Sequence, residues 1–200
     1  MIDIHILLMP ENDNPFWVAE CLDSLKNTPC NLQVTRGIRG DLGKARMNGF
    51  ALGHNQYVSW ADPDDIVVPA AFAEICRHLD QTTVLYTDQI LIDEGGRFLC
   101  DGWSSSPWSF LPEYADLMDL CRVPGTDDFM HHLTIIPRWA AMAAAPVMDG
   151  IIGAPEPALI ARLHQMGLKF KRVPVVGYQW RIHRNQAITG PLRNGGELRD

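Results

Sequence analysis

The sequence predicts an α/β fold, a mostly parallel central sheet flanked by helices. Strand-like and helix-like patterns alternate through the first 80 of 200 residues, the order expected of helix-covered parallel strands. Hydrophobic residues make up 46% and charged residues 20%, the balance of a globular chain with a real core. An apolar run, Tyr57 to Ala61, then ends abruptly in Asp62-Pro63-Asp64-Asp65. Such a strand end is where open α/β sheets take their ligands.

Each element has its own signal. Ile2 to Met9 is apolar on both faces and broken at Pro10, so it reads as a central strand. Asn14-Pro15 is a helix start, with Val18, Leu22 and Leu25 on one face of the helix it opens. Leu32 to Thr35 is a strand closed by Gly37, and Leu42 to Leu52 a helix with Lys44 and Arg46 near its start. After the acidic cluster, a helix is expected from Pro69 with Phe72, Ile75, Cys76 and Leu79 turned inward. Thr83 to Ile92 is a strand running into the turn Asp93-Glu94-Gly95-Gly96, hence a hairpin. Residues 101 to 128 read as a long functional loop with a short helix at 112–121. His132 to Pro137 is a short strand, Pro157 to Met166 a helix ended by Gly167, and Phe170 to Arg181 a last strand interrupted at Pro174. Residues 1–190 are expected to form one domain, and the polar 191–200 a mobile tail.

Composition narrows the function. A net charge of -7 and a pI near 5.4 oppose a protein that coats nucleic acid. Five scattered cysteines (21, 30, 76, 100 and 121), without a C-x-x-C, fit reduced thiols in the cytoplasm rather than a disulfide framework or zinc site. No run of ~18 apolar residues marks a membrane span, and nothing marks export.

Three carboxylates packed at a strand end repel one another, and a divalent cation between them relieves the repulsion. That chemistry points to metal-bridged binding of a diphosphate. The plain alternative is a capped turn, for which Asp and Pro are ordinary residues.

Six pieces, in order, resemble the family 2 glycosyltransferases of the GT-A fold. They are Ile4 to Pro10 with Cys21-Leu22-Asp23-Ser24-Leu25; Gly43-Lys44-Ala45-Arg46-Met47-Asn48-Gly49; Tyr57 to Asp65, matching the strand and D-x-D motif; Leu91 to Gly96; Pro155-Glu156-Pro157 through Val173-Pro174; and Tyr178-Gln179-Trp180-Arg181-Ile182-His183. The resemblance covers residues 2 to 190 and implies a nucleotide-sugar half (1–100) and an acceptor half (101–190). Two motifs depart from the family pattern. Val34-Thr35-Arg36-Gly37 stands where the family has Val-Asp-Asp-Gly, and Pro155-Glu156 stands where it has Glu-Asp. The segment before Arg46 is also short, so this is a compact variant.

The resemblance implies a role for each matched residue. Asp64 is the principal ligand of Mn²⁺ or Mg²⁺, Asp62 touches the metal or the ribose, and His183 is the third metal contact. Asp65 is a helix-side cap. Pro10, Glu11, Thr35, Lys44 and Arg46 line the donor site, with Lys44 and Arg46 toward the diphosphate. Arg181 and Arg184 are candidate phosphate contacts. Glu156 is the general base, which an inverting transfer needs to take the acceptor proton. His131, His132, Trp103 and Trp108 are candidate acceptor contacts. The expected activity is metal-dependent sugar transfer from a nucleotide-diphospho-sugar, by default a UDP-sugar, to an acceptor hydroxyl on a glycan, small molecule or modified nucleobase. The rival readings are a non-catalytic sugar- or partner-binding module and a nucleotidyltransferase.

Overall fold

The computed structural model describes residues 1–10, 14–101, 121–130 and 132–183. Strand β1 (Ile2–Leu8) lies between β2 (Cys30–Arg36) and β3 (Tyr57–Ala61) and runs parallel to both. A strand so flanked is buried on both faces, with Ile2, Ile4 and Ile6 on one and the polar Asp3 and His5 with Leu7 on the other. Ile2, Ile4 and Ile6 enter a core shared with Cys21 and Leu25 of α1 (Pro15–Leu25) and with Phe72 and Ile75 of α3 (Ala71–Cys76). On the other face Val58 and Trp60 pack with Phe50 of α2 (Leu42–Phe50), Ala140 and Ala144 of α4 (Arg138–Ala144), and Leu159 and Leu163 of α5 (Glu156–Gln165). Each fully buried large apolar side chain contributes about 1.5–3 kcal/mol, so the two cores together fix the sheet between its helices.

The helix starts follow their caps. Asn14 Oδ1 accepts the Phe16 N–H at 3.0 Å, with Pro15 at the first helical position. Asp41 Oδ1 accepts the Lys44 N–H at 2.9 Å and so starts α2. That start turns Arg46 inward and Lys44 outward, one buried and one exposed.

The second half is built on β5 (Thr83–Ile92). It runs parallel to β8 (Lys169–Arg181) and antiparallel to β6 (Phe98–Asp101) and β7 (Thr134–Pro137). Strand β7 also pairs antiparallel with β3 and joins the halves into one sheet. The short β4 (Ile66–Val67) closes the order β2-β1-β3-β7-β5-β8-β4. The chain is therefore α/β with helices on both faces. Its parallel pairs are β1–β2, β1–β3 and β5–β8, and the pairs made by β4, β6 and β7 are antiparallel.

Three features differ from the sequence reading. Cys76 is exposed at the end of α3, because the helix is only six residues long and its inner face ends at Ile75. Helix α4 is rich in alanine and lacks a side-chain cap, so no local signal announces it. Two-residue β4 exists only through its pairing with β8. The expected helix at 112–121 and tail at 191–200, with Glu11, Trp103, Trp108, His131 and Arg184, lie outside the described residues. No described helix is long and apolar enough to cross a membrane. None of the five cysteines is in a disulfide.

Candidate functional site

The parallel strands β1, β2 and β3 finish at one edge of the sheet, where Leu8 stands beside Arg36 and Ile6 beside Ala61. Asp62 is the first residue past β3. The backbone turns at once, with the Asp65 N–H donating to Asp62 O at 3.2 Å, a turn that Pro63 favours. The turn gathers three carboxylates, and β8 supplies their partners. The Asp62 N–H donates to the Tyr178 hydroxyl at 2.9 Å, and that hydroxyl donates to the Asp65 carboxylate. Asp65 also accepts the Arg181 N–H at 2.7 Å. Burial, then the charges of Asp64 and Asp62, push the Asp65 carboxyl well above the usual carboxylate range. Asp65 is thus a buried member of the cluster and not the helix cap expected of it.

Two imidazoles reach this turn. His183 Nε2 lies 2.7 Å from Asp64 Oδ2, with its ring against Trp17. His132 Nε2 lies 3.2 Å from Asp62 Oδ2. The His132 ring stacks on Tyr178, centroids 4.4 Å apart and planes 13° from parallel, and its Nδ1 faces Gln89 Oε1 at 3.4 Å. The next residue, Leu133, is buried with φ at 43°, left-handed backbone that costs a side-chain-bearing residue about 1–2 kcal/mol.

A further carboxylate arrives from another element. Glu156 opens α5, is buried, and meets Arg46 Nη2 at 2.8 Å. The same nitrogen is 3.4 Å from Asp62 Oδ1. The Arg46 guanidinium lies over Trp60, 4.7 Å from the ring centroid. One buried cation thus joins the two carboxylates on which the functional reading rests. Among the described residues, Arg46 Nε and Nη1 are buried without a partner. His5 lies on the same layer, edge-on to Phe50 at 5.1 Å, with both ring nitrogens likewise unpartnered. Burial, then the positive charge of Arg46, drives His5 down to about 3, so it is a neutral imidazole at physiological pH.

The structure therefore brings together Asp62, Asp64, Arg46, Glu156 and His183 from the sequence reading. Pro10 is exposed beyond the end of β1, Thr35 is half-buried near the end of β2, and Lys44 is exposed. Arg46 faces two carboxylates and Trp60 rather than an open cleft. Arg181 is no phosphate contact. Its guanidinium is buried and donates to Asp64 O at 2.7 Å, to Glu94 O and Asp93 O at 3.1 and 3.2 Å, and to Glu20. It braces the β5–β6 hairpin against the acidic turn. Sequence reasoning misses Tyr178 and Gln89 as members of the site, since nothing in a strand pattern reveals which hydroxyl or amide will face a turn from another element.

The donor set suits a cation. Asp62, Asp65 and His132 each offer one ligand atom, all within 4.8 Å of one another, and Asp64 and His183 stand beside them. Carboxylate oxygens with imidazole nitrogen fit Mn²⁺, and the carboxylates fit Mg²⁺.

The fold places these residues among known proteins. The structure matches S. aureus TarS 1–349 in complex with UDP-GlcNAc with a TM-score of 0.61 and 12% identity, over 94% of this chain and 60% of that one. The chain has the fold of the GT-A glycosyltransferases. TarS 1–349 without that ligand gives 0.58 at 12% identity, over 90% of this chain and 60% of that one. A further TarS crystal structure gives 0.57 at 12% identity, over 92% and 37%. In sequence, the chain is 26% identical over 135 residues to the O-antigen biosynthesis protein RfbC of Myxococcus xanthus, 66% of this chain and 10% of that protein. No family model matches. The chain thus spans a tenth of RfbC and between 37% and 60% of the TarS chains. Among the described residues, the buried carboxylates are Asp3 in β1, Asp64 and Asp65 in the turn after β3, and Glu156 at the start of α5.

Proposed function

We propose that this chain is a metal-dependent glycosyltransferase that moves a sugar from a nucleotide-diphosphate donor to an acceptor hydroxyl, with inversion. One observation carries the reading. On a GT-A fold, the carboxylate ending β3 and the carboxylate opening α5 meet at a single buried arginine. A capped turn alone would not need Glu156 drawn to it from another element.

In this reading Glu156 takes the proton of the acceptor hydroxyl as that oxygen attacks the anomeric carbon and the nucleoside diphosphate departs. The charge of Arg46 compensates the buried Glu156 carboxylate and holds it at the acceptor side of Asp62. Asp62, Asp64 and His183 would hold Mn²⁺ or Mg²⁺, with Asp65 and His132 alongside. A cation held by them would supply charge neutralisation of the leaving diphosphate. Support for a nucleotide-sugar donor comes from the UDP-GlcNAc bound to TarS, and for a saccharide product from the O-antigen role of RfbC. Free cysteines and such a donor suit a cytoplasmic setting.

The test is donor turnover. The protein is incubated with UDP-GlcNAc and a panel of other nucleotide-sugars in Mn²⁺, Mg²⁺ or EDTA, and nucleoside diphosphate release is measured. Cation-dependent release, lost in Asp64→Ala, is expected. Release of sugar 1-phosphate instead, by attack at the α-phosphorus, would make the chain a nucleotidyltransferase, and donor binding without turnover would make it a binding module.

A further inference from the structure

The carboxylate of Asp62 is gripped on both oxygens. Oδ1 faces Arg46 at 3.4 Å and Oδ2 faces His132 at 3.2 Å. A carboxylate held from two sides has its plane fixed, and Asp62 needs that, because its side chain retains 28% exposure and follows the end of its strand. His132 is itself held from several directions. Tyr178 stacks on one face, the Trp180 ring lies 5.8 Å away, and Gln89 stands at Nδ1. The chain holds Leu133 in left-handed backbone immediately after it. Strain of this kind persists where the surrounding structure over-determines a local geometry, and here the geometry aims one imidazole.

We propose that His132 is a positioning residue that sets the Asp62 carboxylate for the donor. It acts through Asp62, so the proposal rests on the reading of Asp62 as the donor-side carboxylate. The hydrogen bond from Nε2 and the stack on Tyr178 are separable functions. His132→Gln places an amide donor near the position of Nε2 without the ring. His132→Phe keeps the ring on Tyr178 and removes the hydrogen bond.

Two measurements read these variants. The first is affinity for UDP-GlcNAc with Mn²⁺ by calorimetry, beside transfer kinetics. His132→Phe is expected to weaken donor binding and raise KM by about tenfold, the value of a hydrogen bond to a charged group, with a smaller effect on kcat. His132→Gln is expected to recover most of that affinity. The second is the orientation of Asp62 in donor-free crystals of His132→Phe, expected to turn away from its wild-type position. A His132→Phe protein that binds donor as tightly as wild type, or a His132→Gln protein as weak as His132→Phe, overturns the proposal. So does an Asp62 carboxylate that keeps its orientation. The crystal measurement does not depend on the donor. If the wild type binds no nucleotide-sugar, the proposed function fails, and His132 is judged on the Asp62 orientation.

Discussion

Arg46 invites the most direct test, because one side chain holds both halves of the site. Replacing it with methionine keeps much of its apolar length over Trp60 and removes the charge. Glu156 then stays buried, with 6% of its side chain exposed and its 2.8 Å partner gone. Breaking a buried ion pair by deleting one member costs about 3–5 kcal/mol. Two corrections apply. Asp62, 28% exposed and 3.4 Å away, loses little, because water already screens it. Arg46 also carries two buried N–H-bearing nitrogens without partners, and removing an unmet donor returns about 1 kcal/mol or more. The expected net loss is about 2–4 kcal/mol. In a chain of this size each kcal/mol moves the melting temperature by about 2–4 °C, so a drop of about 4–16 °C is expected by calorimetry. The decisive variant is the double one. Arg46→Met with Glu156→Gln leaves no buried unpaired charge, so its loss should fall below the sum of the single losses. An Arg46→Met protein melting within about 2 °C of wild type, or strictly additive losses, would refute the pairing as the organising contact of the site.

Three further outcomes test other parts of the argument. Glu156→Gln should lower transfer by about 10²–10⁴-fold with donor affinity almost unchanged, and wild-type turnover in that variant would remove Glu156 as base. Gly49→Ala, a change that elsewhere in a helix stabilises by about 0.5–1 kcal/mol, should here destabilise by about 1–3 kcal/mol, because the new Cβ would stand 2.6 Å from the His5 ring; a higher melting temperature would show that the ring is not where the structure puts it. The third concerns acid. His5 is held near 3 in the folded state against 6.5 when unfolded, so the unfolded chain binds the extra proton between those values. Stability from this group is whole above about pH 6.5 and is lost toward pH 3, at up to about 1.4 kcal/mol per pH unit. Asp65, raised by burial, has the opposite slope, but it is common to wild type and variant. The difference between wild-type and His5→Leu denaturation curves from about pH 7 to about pH 4 should therefore narrow in favour of the variant, and a constant difference would sink the assignment.

The local half of this architecture is legible in the chain. Asn14-Pro15 announces α1, the isoleucines and leucines of Ile2 to Leu8 announce a strand, and Asp93 to Gly96 announces the β5–β6 hairpin, because each signal is contained within a few residues. Asp62 and Asp64 are legible for the same reason. Elements that exist through distant pairing are not. Strand β4 is two residues held by a partner 113 positions later at Ile66–Gln179, and α4 has neither periodicity nor a capping side chain. The partner of Arg46 is hidden in the same way. A cationic residue near a helix start reads as a contact for anionic ligand, yet 110 residues separate it from Glu156, and no local pattern reports that a carboxylate will arrive from α5. The position of His132 depends on the left-handed backbone at Leu133, which no leucine advertises.

The arrangement also explains how a compact chain can keep four carboxylates near one edge of a sheet. Asp62, Asp64, Asp65 and Glu156 would repel one another if each relied on solvent for its charge. Each has instead a partner supplied by another element. Arg46 of α2 takes Glu156, His183 beyond β8 takes Asp64, and Tyr178 and the Arg181 backbone of β8 take Asp65. Asp62 is the exception in exposure, shared between Arg46 and His132 and still open to solvent at its side chain. The carboxylate left most accessible is also the one met on both oxygens, at 3.4 and 3.2 Å. An exposed carboxylate free to rotate would suffice to attract a cation. Contacts to both of its oxygens favour a ligand with a defined shape, which is what the proposed donor site requires.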